Sequence, residues 1–442
     1  MTVALKEAHL KRLQLCADFA HITKLDYSSV DDVIVVEPAP TPKAILISVI
    51  GVSTKEEIAG QVQTLRQFFP NTFIIVLVEK KLSVDDSDFV KKSGGNFVIL
   101  SFDLLNSTQI EFILSQVGKE SFVLVGAENL KVGTKVDFTL YAKLALNNKI
   151  VPVLQAGTEI SQSRMDKMKA VGNLHIRKGQ IDLFSKYIKD QQDNSESGLR
   201  RRCRVQLQYV AILHVNLVLL LLDQGEQGSY EKGRELLTKI YELCDQLLND
   251  LKLVSRPWDI LDQADIEVNG QVDRSVVIAC LAAATSLRTG VGVARDILMA
   301  GLFCDLGLLQ LSPKCLGHLN SRVERAKLDA EDFLIYKNHP VISLRILLER
   351  KIQMSEGLKE IILCTHEQAD RQGFPNAIVP EKIPVESTII LFHEVVDLEW
   401  RVSHGQNKIS YPEVWQDVYK REHKSAETFA LSFLERISWE NK

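Results

Sequence analysis

GVARDILMAGLFCDLGLLQLSP, residues 292–313, decides how the second half of this chain is read. It lies in a region that runs from Val205 to the end, where apolar residues recur at three- and four-residue steps and short Gly- or Pro-bearing loops intervene. Such spacing predicts a helical domain over 205–442. Three further stretches follow it in order: YKNHP (336–340), THEQADRQGFP (365–375) and ILFHEVVDLEW (390–400). Working outward toward the N-terminus, the polar segment DQQDNSESGLRRRCR (190–204) has no periodic apolar residues and reads as a linker. Its four arginines read as a solvated hinge or the start of a helix, ahead of a phosphate or lipid contact. Residues 119–189 predict a small αβ module, with strand-like FVLVG, VDFTLYAKL and IVPVLQAG, a polar helix Ser161–Ala170 and LHIRKGQIDLF. Residues 1–118 predict an α/β domain. There DVIVVE, AILISVI, FIIVLVE and FVILS are strand-length apolar runs, alternating with helical stretches at 55–69, 86–92 and 107–117.

The chain is long enough for more than one core, at 442 residues and 45% hydrophobic. Its 53 basic and 57 acidic side chains leave a formal charge of −4, which gives nothing to attract a nucleic-acid backbone. Seven cysteines without a CxxC pair indicate neither a disulfide framework nor a zinc ribbon, and fit a reducing cytosol. The N-terminal MTVALKEAHLKRLQLC lacks the apolar core of a signal peptide. The longest apolar run, Tyr209–Leu222, carries His214 and Asn216 and reads as a buried helix rather than a membrane span. Its end, Leu217–Leu222, leaves two alternatives open: a place in the core or a homodimer surface.

The four stretches of the helical region resemble, in order, the signatures of the HD-GYP family of cyclic di-GMP phosphodiesterases: HDIGK, KxHP, HHExxDGxGYP and DxxDAL. The resemblance covers about Gly270 to Trp400. It implies an all-α HD-type domain in which histidines and aspartates converge on metal ions, and a metal-bound hydroxide attacks phosphorus. Carried over residue by residue, the implied metal set is Cys304 in place of histidine, Asp305, His339, His366 and, aligned with the ligating aspartate, His393. A further ligand falls near Asp273, and Asp397 aligns with the second aspartate of DxxDAL. The implied ligand-binding set is Lys337, Asp370, Arg371, Gly373 and Phe374. Arg371 reads as pairing with a phosphate, filling the vacated pocket or pointing to water.

Several positions depart from the family pattern. Cys304, Leu308, Thr365, Arg371, Phe374 and His393 replace residues that run the chemistry. A thiolate at 304 favours zinc or another soft ion, and Leu308 removes a cation that would stabilise charge in the transition state. Other histidines, His214, His318 and His404, read as satisfied core or surface residues.

Residues 25–117 resemble a response-regulator receiver, most closely at FIIVLVE…SGGNFVILS. Ser48 stands where such a domain phosphorylates an aspartate and Ser101 where it keeps a basic residue, which makes this a pseudo-receiver. Residues 119–189 look like a module that often precedes HD-GYP domains in bacterial signalling proteins, with Tyr141, Gly157, Arg164, Gly172 and Ile176 retained.

The function these readings imply is a degenerate, non-catalytic HD-GYP protein, a nucleotide sensor or protein-interaction scaffold in cyclic di-GMP signalling. The alternative is an atypical phosphodiesterase with an altered site holding one iron, manganese or zinc ion. Expected partners are cyclic di-GMP and signalling proteins, in the cytoplasm.

Overall fold

The computed structural model describes residues 1–442 apart from 20–22, 36–40, 53, 119–121, 145–148, 173, 192, 226–230, 256–270, 319–324, 326, 408–409 and 439–442. The N-terminal unit is a parallel sheet of β1 (Thr2–Val3), β2 (Asp26–Tyr27), β3 (Ala44–Ser48), β4 (Phe73–Val78) and β5 (Phe97–Leu100), in the order β2-β1-β3-β4-β5. Helices α1 (Glu7–Phe19), α2 (Val30–Val35), α3 (Lys55–Phe68), α4 (Val84–Lys92), α5 (Ser101–Asn106) and α6 (Gln109–Gly118) join and cover it. The central strands are continuous apolar runs because both faces are covered. Ile45, Ile47, Ile74, Val76, Val78 and Val98 face the smaller core beneath α3 and α4. Leu46, Ile75, Leu77, Phe97 and Ile99 face the opposite way, into the core shared with the rest of the protein. Ser48 closes β3 and Ser101 opens α5 directly after β5.

DVIVVE, expected as a strand, begins in helix α2, and residues 36–37 lie outside the described residues. The reason is local. Ser29 Oγ accepts from Asp32 N at 3.2 Å, and Asp31 and Asp32 occupy the first turn, a helix-starting arrangement that overrides the β-branched run. The sheet edge is taken instead by the two-residue strands β1 and β2.

A second, antiparallel sheet follows, made of β6 (Phe122–Val125), β7 (Leu140–Leu144), β8 (Lys149–Leu154) and β9 (Leu174–Arg177), ordered β6-β9-β7-β8. Helices α7 (Gln162–Val171) and α8 (Ile181–Asp190) accompany it.

From there the chain is helical: α9 (Glu196–Leu222), α10 (Glu231–Leu251), α11 (Gln271–Thr289), α12 (Ala294–Phe303), α13 (Ala330–Glu349), α14 (Glu356–Leu363), α15 (Val385–Asn407), α16 (Tyr411–Ser425) and α17 (Leu431–Ile437). The segment 190–204 is for the most part the beginning of α9, capped by Ser195, whose Oγ accepts from Gly198 N at 3.1 Å. Three of its four arginines form ion pairs: Arg200 with Glu196 at 3.0 Å, Arg202 with Asp250 at 3.1 Å, and Arg201 with Asp193. Helix α9 is long and apolar enough to cross a membrane, yet 67% of its most apolar window is buried inside the protein. Leu217, Val218, Leu221 and Leu222 lie in the core, which resolves the two readings of that run in favour of packing.

Among the described residues, two sets of hydrogen bonds tie the N-terminal domain to the helical region. After α9, Asp223 Oδ1 accepts from Val98 N at 2.9 Å and Gln224 N donates to Val98 O at 3.0 Å, so the chain caps the open edge of β5. Arg350, just past α13, donates to Asp223 O at 3.0 Å. The second tie is Thr108, whose N and Oγ1 both donate to Leu309 O at 3.2 Å.

Candidate metal centre

Helix α12 delivers Cys304 and Asp305 at its C-terminus, and the chain tightens into a 3-10 turn, Leu306–Gln310. Gly307 is required there: a Cβ on it would lie 2.1 Å from His339 O on α13. Ser343 fastens the same contact, accepting from Gly307 N at 2.8 Å and donating to Cys304 O at 2.7 Å. The carboxylate of Asp305 is thereby held against the middle of α13.

On α13 the sequence His339-Pro340 sets the imidazole. Proline at 340 has no N–H to give to the carbonyl four residues back, which is Tyr336 O. That carbonyl instead takes the His339 Nδ1 proton at 2.6 Å, which leaves Nε2 as a lone pair directed outward. His366, beyond α14, is oriented in the same manner by a carboxylate: its Nδ1 lies 3.2 Å from Glu394 Oε2. A histidine whose other nitrogen is held by a carbonyl or a carboxylate is the arrangement that fixes metal ligands.

Three donor atoms now face one another. His339 Nε2 is 2.9 Å from His366 Nε2, and Asp305 Oδ1 is 3.3 Å from the first and 3.7 Å from the second. All three side chains are buried. Two ligands bonded to one ion at Zn–N or Zn–O lengths stand roughly 2.8–3.6 Å apart, so this set fits a single cation. Without a positive charge between them the lone pairs repel, and the alternative to a metal is a proton. Burial works against charging His366, but the Glu394 carboxylate and the hydrogen bonds that Asp305 and Glu394 accept from the ring prevail and raise it to about 9. Burial lowers His339, and the neighbouring His366 adds to this against the pull of Asp305. Burial would raise Asp305 and Glu394, yet their imidazole partners, with Arg325 beside Glu394, hold both well below the usual carboxylate range.

The other residues singled out from the sequence are placed differently. Cys304 is buried with Sγ 3.6 Å from Gly301 O, and burial pushes its thiol well up, so it is a protonated core side chain outside the cluster. Thr365 turns back onto α14, its Oγ1 donating to Ile361 O at 3.0 Å. His393 is not brought to the donors either. Its Nε2 bonds Thr285 Oγ1 at 2.7 Å and its Nδ1 bonds the Tyr411 hydroxyl at 2.8 Å, and burial lowers it to about 3, which keeps it neutral. Asp397 is bound by Arg274 and Arg401. The side chain of Asp273 lies outside the described residues.

Glu394, not His393, is the α15 residue that reaches the centre. Its spacing of three from Asp397 matches D-x-x-D, whereas His393 is four away. Arg325 and Tyr336 carry no such signal. Arg325 is buried and its Nη1 donates to Glu394 Oε1 at 2.5 Å and to the Tyr336 hydroxyl at 3.1 Å.

Of the residues read as ligand-binding, Phe374 joins the centre, stacked on the His366 ring with centroids 4.9 Å apart. Gly373 is buried where a Cβ would meet Gln368 N at 2.3 Å. Asp370 and Arg371 are exposed on the same loop, Arg371 with φ +60°, and Lys337 lies over the Phe333 ring at 5.0 Å. Glu367 supports the loop from within, accepting from Asn376 N at 2.7 Å and Ile378 N at 3.1 Å. Leu308, in the position of the family lysine, packs with Leu311, Cys315 and Tyr336, and Phe374 closes that apolar cover.

Residues 259–397 match the HD domain family. That part of the helical region is similar to HD domains. A curated relative, the 3'3'-cGAMP-specific phosphodiesterase 2 of Vibrio cholerae, is 31% identical over 101 residues, which is 23% of this chain and 18% of that protein. The chain therefore spans less than a fifth of the length of the relative it matches. A solved structure, that of an HDG"Y"P protein from Bdellovibrio bacteriovorus, aligns over 72% of this chain and 98% of its own at 14% identity and a TM-score of 0.42. Of the positions singled out from the sequence, Asp305, His339 and His366 converge, while Cys304, Thr365 and His393 are held by packing and local hydrogen bonds.

Proposed function

We propose that this chain is a non-hydrolytic HD-GYP-type signalling protein of the cytosol, whose HD domain keeps one cation in a closed centre and acts as a cyclic-dinucleotide sensor or as a protein scaffold. The observation that carries the reading is closure: Asp305, His339, His366 and Glu394 are each at most 5% exposed, beneath Leu308, Tyr336 and Phe374. That cover would keep a phosphodiester from Asp305, His339 and His366, and no cation stands at position 308 to take up charge on phosphorus. The ion, when bound by Asp305, His339 and His366, supplies charge compensation among three buried donors. The residues themselves orient the donors, exclude water and hold a proton on His366 when no metal is present.

Metal analysis of the full chain purified without chelator tests the reading. One equivalent of zinc, iron or manganese per chain, lost in Asp305→Ala, supports it; metal-free protein that takes up none on dialysis against each ion defeats the single-ion centre. Calorimetry with cyclic di-GMP and 3'3'-cGAMP then separates sensor from scaffold, heat of binding marking the sensor. One observation favours the competing reading of an atypical phosphodiesterase: both histidines are already set to present Nε2, as a working ion would need. The pseudo-receiver assignment of the N-terminal sheet belongs to the same proposal, supported by β3 ending on Ser48 rather than on a carboxylate.

A further inference from the structure

The centre contains a cation that belongs to the protein. Arg325 is 5% exposed, its guanidinium lies 5.6 Å from the centroid of the Tyr336 ring, and its Nη1 donates to Glu394 Oε1 at 2.5 Å. The other oxygen of the same carboxylate, Oε2, faces His366 Nδ1 at 3.2 Å. Glu394 is thus a bridge with a guanidinium on one side and a metal-set imidazole on the other. A buried arginine cannot shed its proton, so its charge is permanent. Counted over the closed cluster, Asp305 and Glu394 bring two negative charges and Arg325 one positive charge. Without the guanidinium a divalent ion would make the cluster neutral; with it the ion leaves one positive charge in excess.

We infer that Arg325 is a resident counter-ion of the metal centre, a positioning residue that takes over part of the charge compensation a metal would provide. It stabilises the metal-free centre and holds its affinity for a divalent cation down. This rests on the single-ion reading above and deepens it. Two consequences separate it from a merely structural arginine. Removing the guanidinium tightens metal binding, because the ion no longer enters beside a fixed positive charge. It also makes the folded protein depend on the metal, because Asp305 and Glu394 then lack a cation when the metal leaves.

The test uses the full chain with Zn²⁺ or Mn²⁺ alone, comparing wild type, Arg325→Gln, Arg325→Lys and Arg325→Gln/Glu394→Gln by equilibrium dialysis and by the loss of Tm on chelation. Arg325→Gln keeps hydrogen-bonding capacity toward Glu394 and Tyr336 but not the charge. It is expected to bind the ion about tenfold more tightly or better, and to lose more Tm on chelation than wild type. Arg325→Lys, which keeps the charge, should stay near wild type. The double variant, which removes both charges, should return toward wild-type affinity. Unchanged or weaker binding in a folded Arg325→Gln protein overturns the inference. If Arg325→Gln does not fold, the double variant decides: affinity equal to or tighter than wild type supports it, and a loss overturns it. Wild type that takes no metal defeats the single-ion reading alone when Arg325→Gln acquires an ion, and defeats both when neither variant binds one.

Discussion

At the scale of single residues, the centre is built by what surrounds the donors more than by the donors. Pro340 is the sharpest case, since it matters for the N–H it lacks: the unclaimed Tyr336 carbonyl fixes the tautomer of His339. Pro340→Ala restores a competing N–H. We expect metal affinity to fall by roughly 10–100-fold, the range for losing an orienting partner of a ligand, measured by competition with a chromophoric chelator. His366 gives a pH dependence with a definite sign. Its proton, held up to about 9 by Glu394 and Asp305, must leave before a metal occupies Nε2. Apparent affinity should therefore rise about tenfold per pH unit from 6.5 toward 9 and level off above it; a flat profile by calorimetry would refute the proton assignment. For stability the sign runs the other way. A raised histidine stabilises the metal-free fold fully below pH 6.5, and that contribution is lost as pH climbs through about 9.

At the scale of elements, the 3-10 turn Leu306–Gln310 is where the fold and the centre meet. It packs along α13 through Gly307 and is fastened to the N-terminal domain by Thr108. Gly307→Ala puts a methyl group 2.1 Å from His339 O, against backbone that cannot yield, and should cost about 3 kcal/mol in urea denaturation while weakening metal binding through His339. The cap on β5 is the other joint. Asp223 accepts from Val98 N and Gly225 N, each at 2.9 Å, and pairs with Lys91. Asp223→Ala should destabilise the protein by roughly 1–3 kcal/mol and lift hydrogen-exchange protection at Val98 and at the end of α9 together. Protection lost at only one of them would show that the two domains are not joined there.

The same scale shows what the sequence made legible. Helices of the second half and strands β3, β4 and β5 follow from periodicity, because their burial is set by short-range pattern. Helix α2 was hidden by a β-branched run, and only the Ser29 cap with two first-turn aspartates betrays it. In the centre, Asp305, His339 and His366 were readable from ordered motifs, since each lies in a short segment whose backbone geometry demands particular residues. Cys304 and His393 fit the motifs as substitutions, but their orientation depends on contacts far away in sequence, such as Thr285 and Tyr411 for His393. Arg325 was beyond reach for the same reason: it meets Glu394 across 69 residues, with no repeating spacing to announce it.

For the whole molecule, an antiparallel sheet unit and a parallel sheet domain are carried on one helical HD domain, with α9 running through the shared core. The apolar face of the parallel sheet is continuous with that core, so a perturbation of the N-terminal domain has a packed route to the turn after Asp305. At the positions that depart from the expected motifs, Leu308 packs in an apolar cluster and Thr365 and His393 are satisfied by hydrogen bonds. The most direct test is product chromatography after the full chain, reconstituted with Zn²⁺, Mn²⁺ or Fe²⁺, is incubated with cyclic di-GMP and with 3'3'-cGAMP. The account predicts no linear dinucleotide above the background of an Asp305→Ala control; turnover by wild type that the Asp305→Ala substitution abolishes would contradict it.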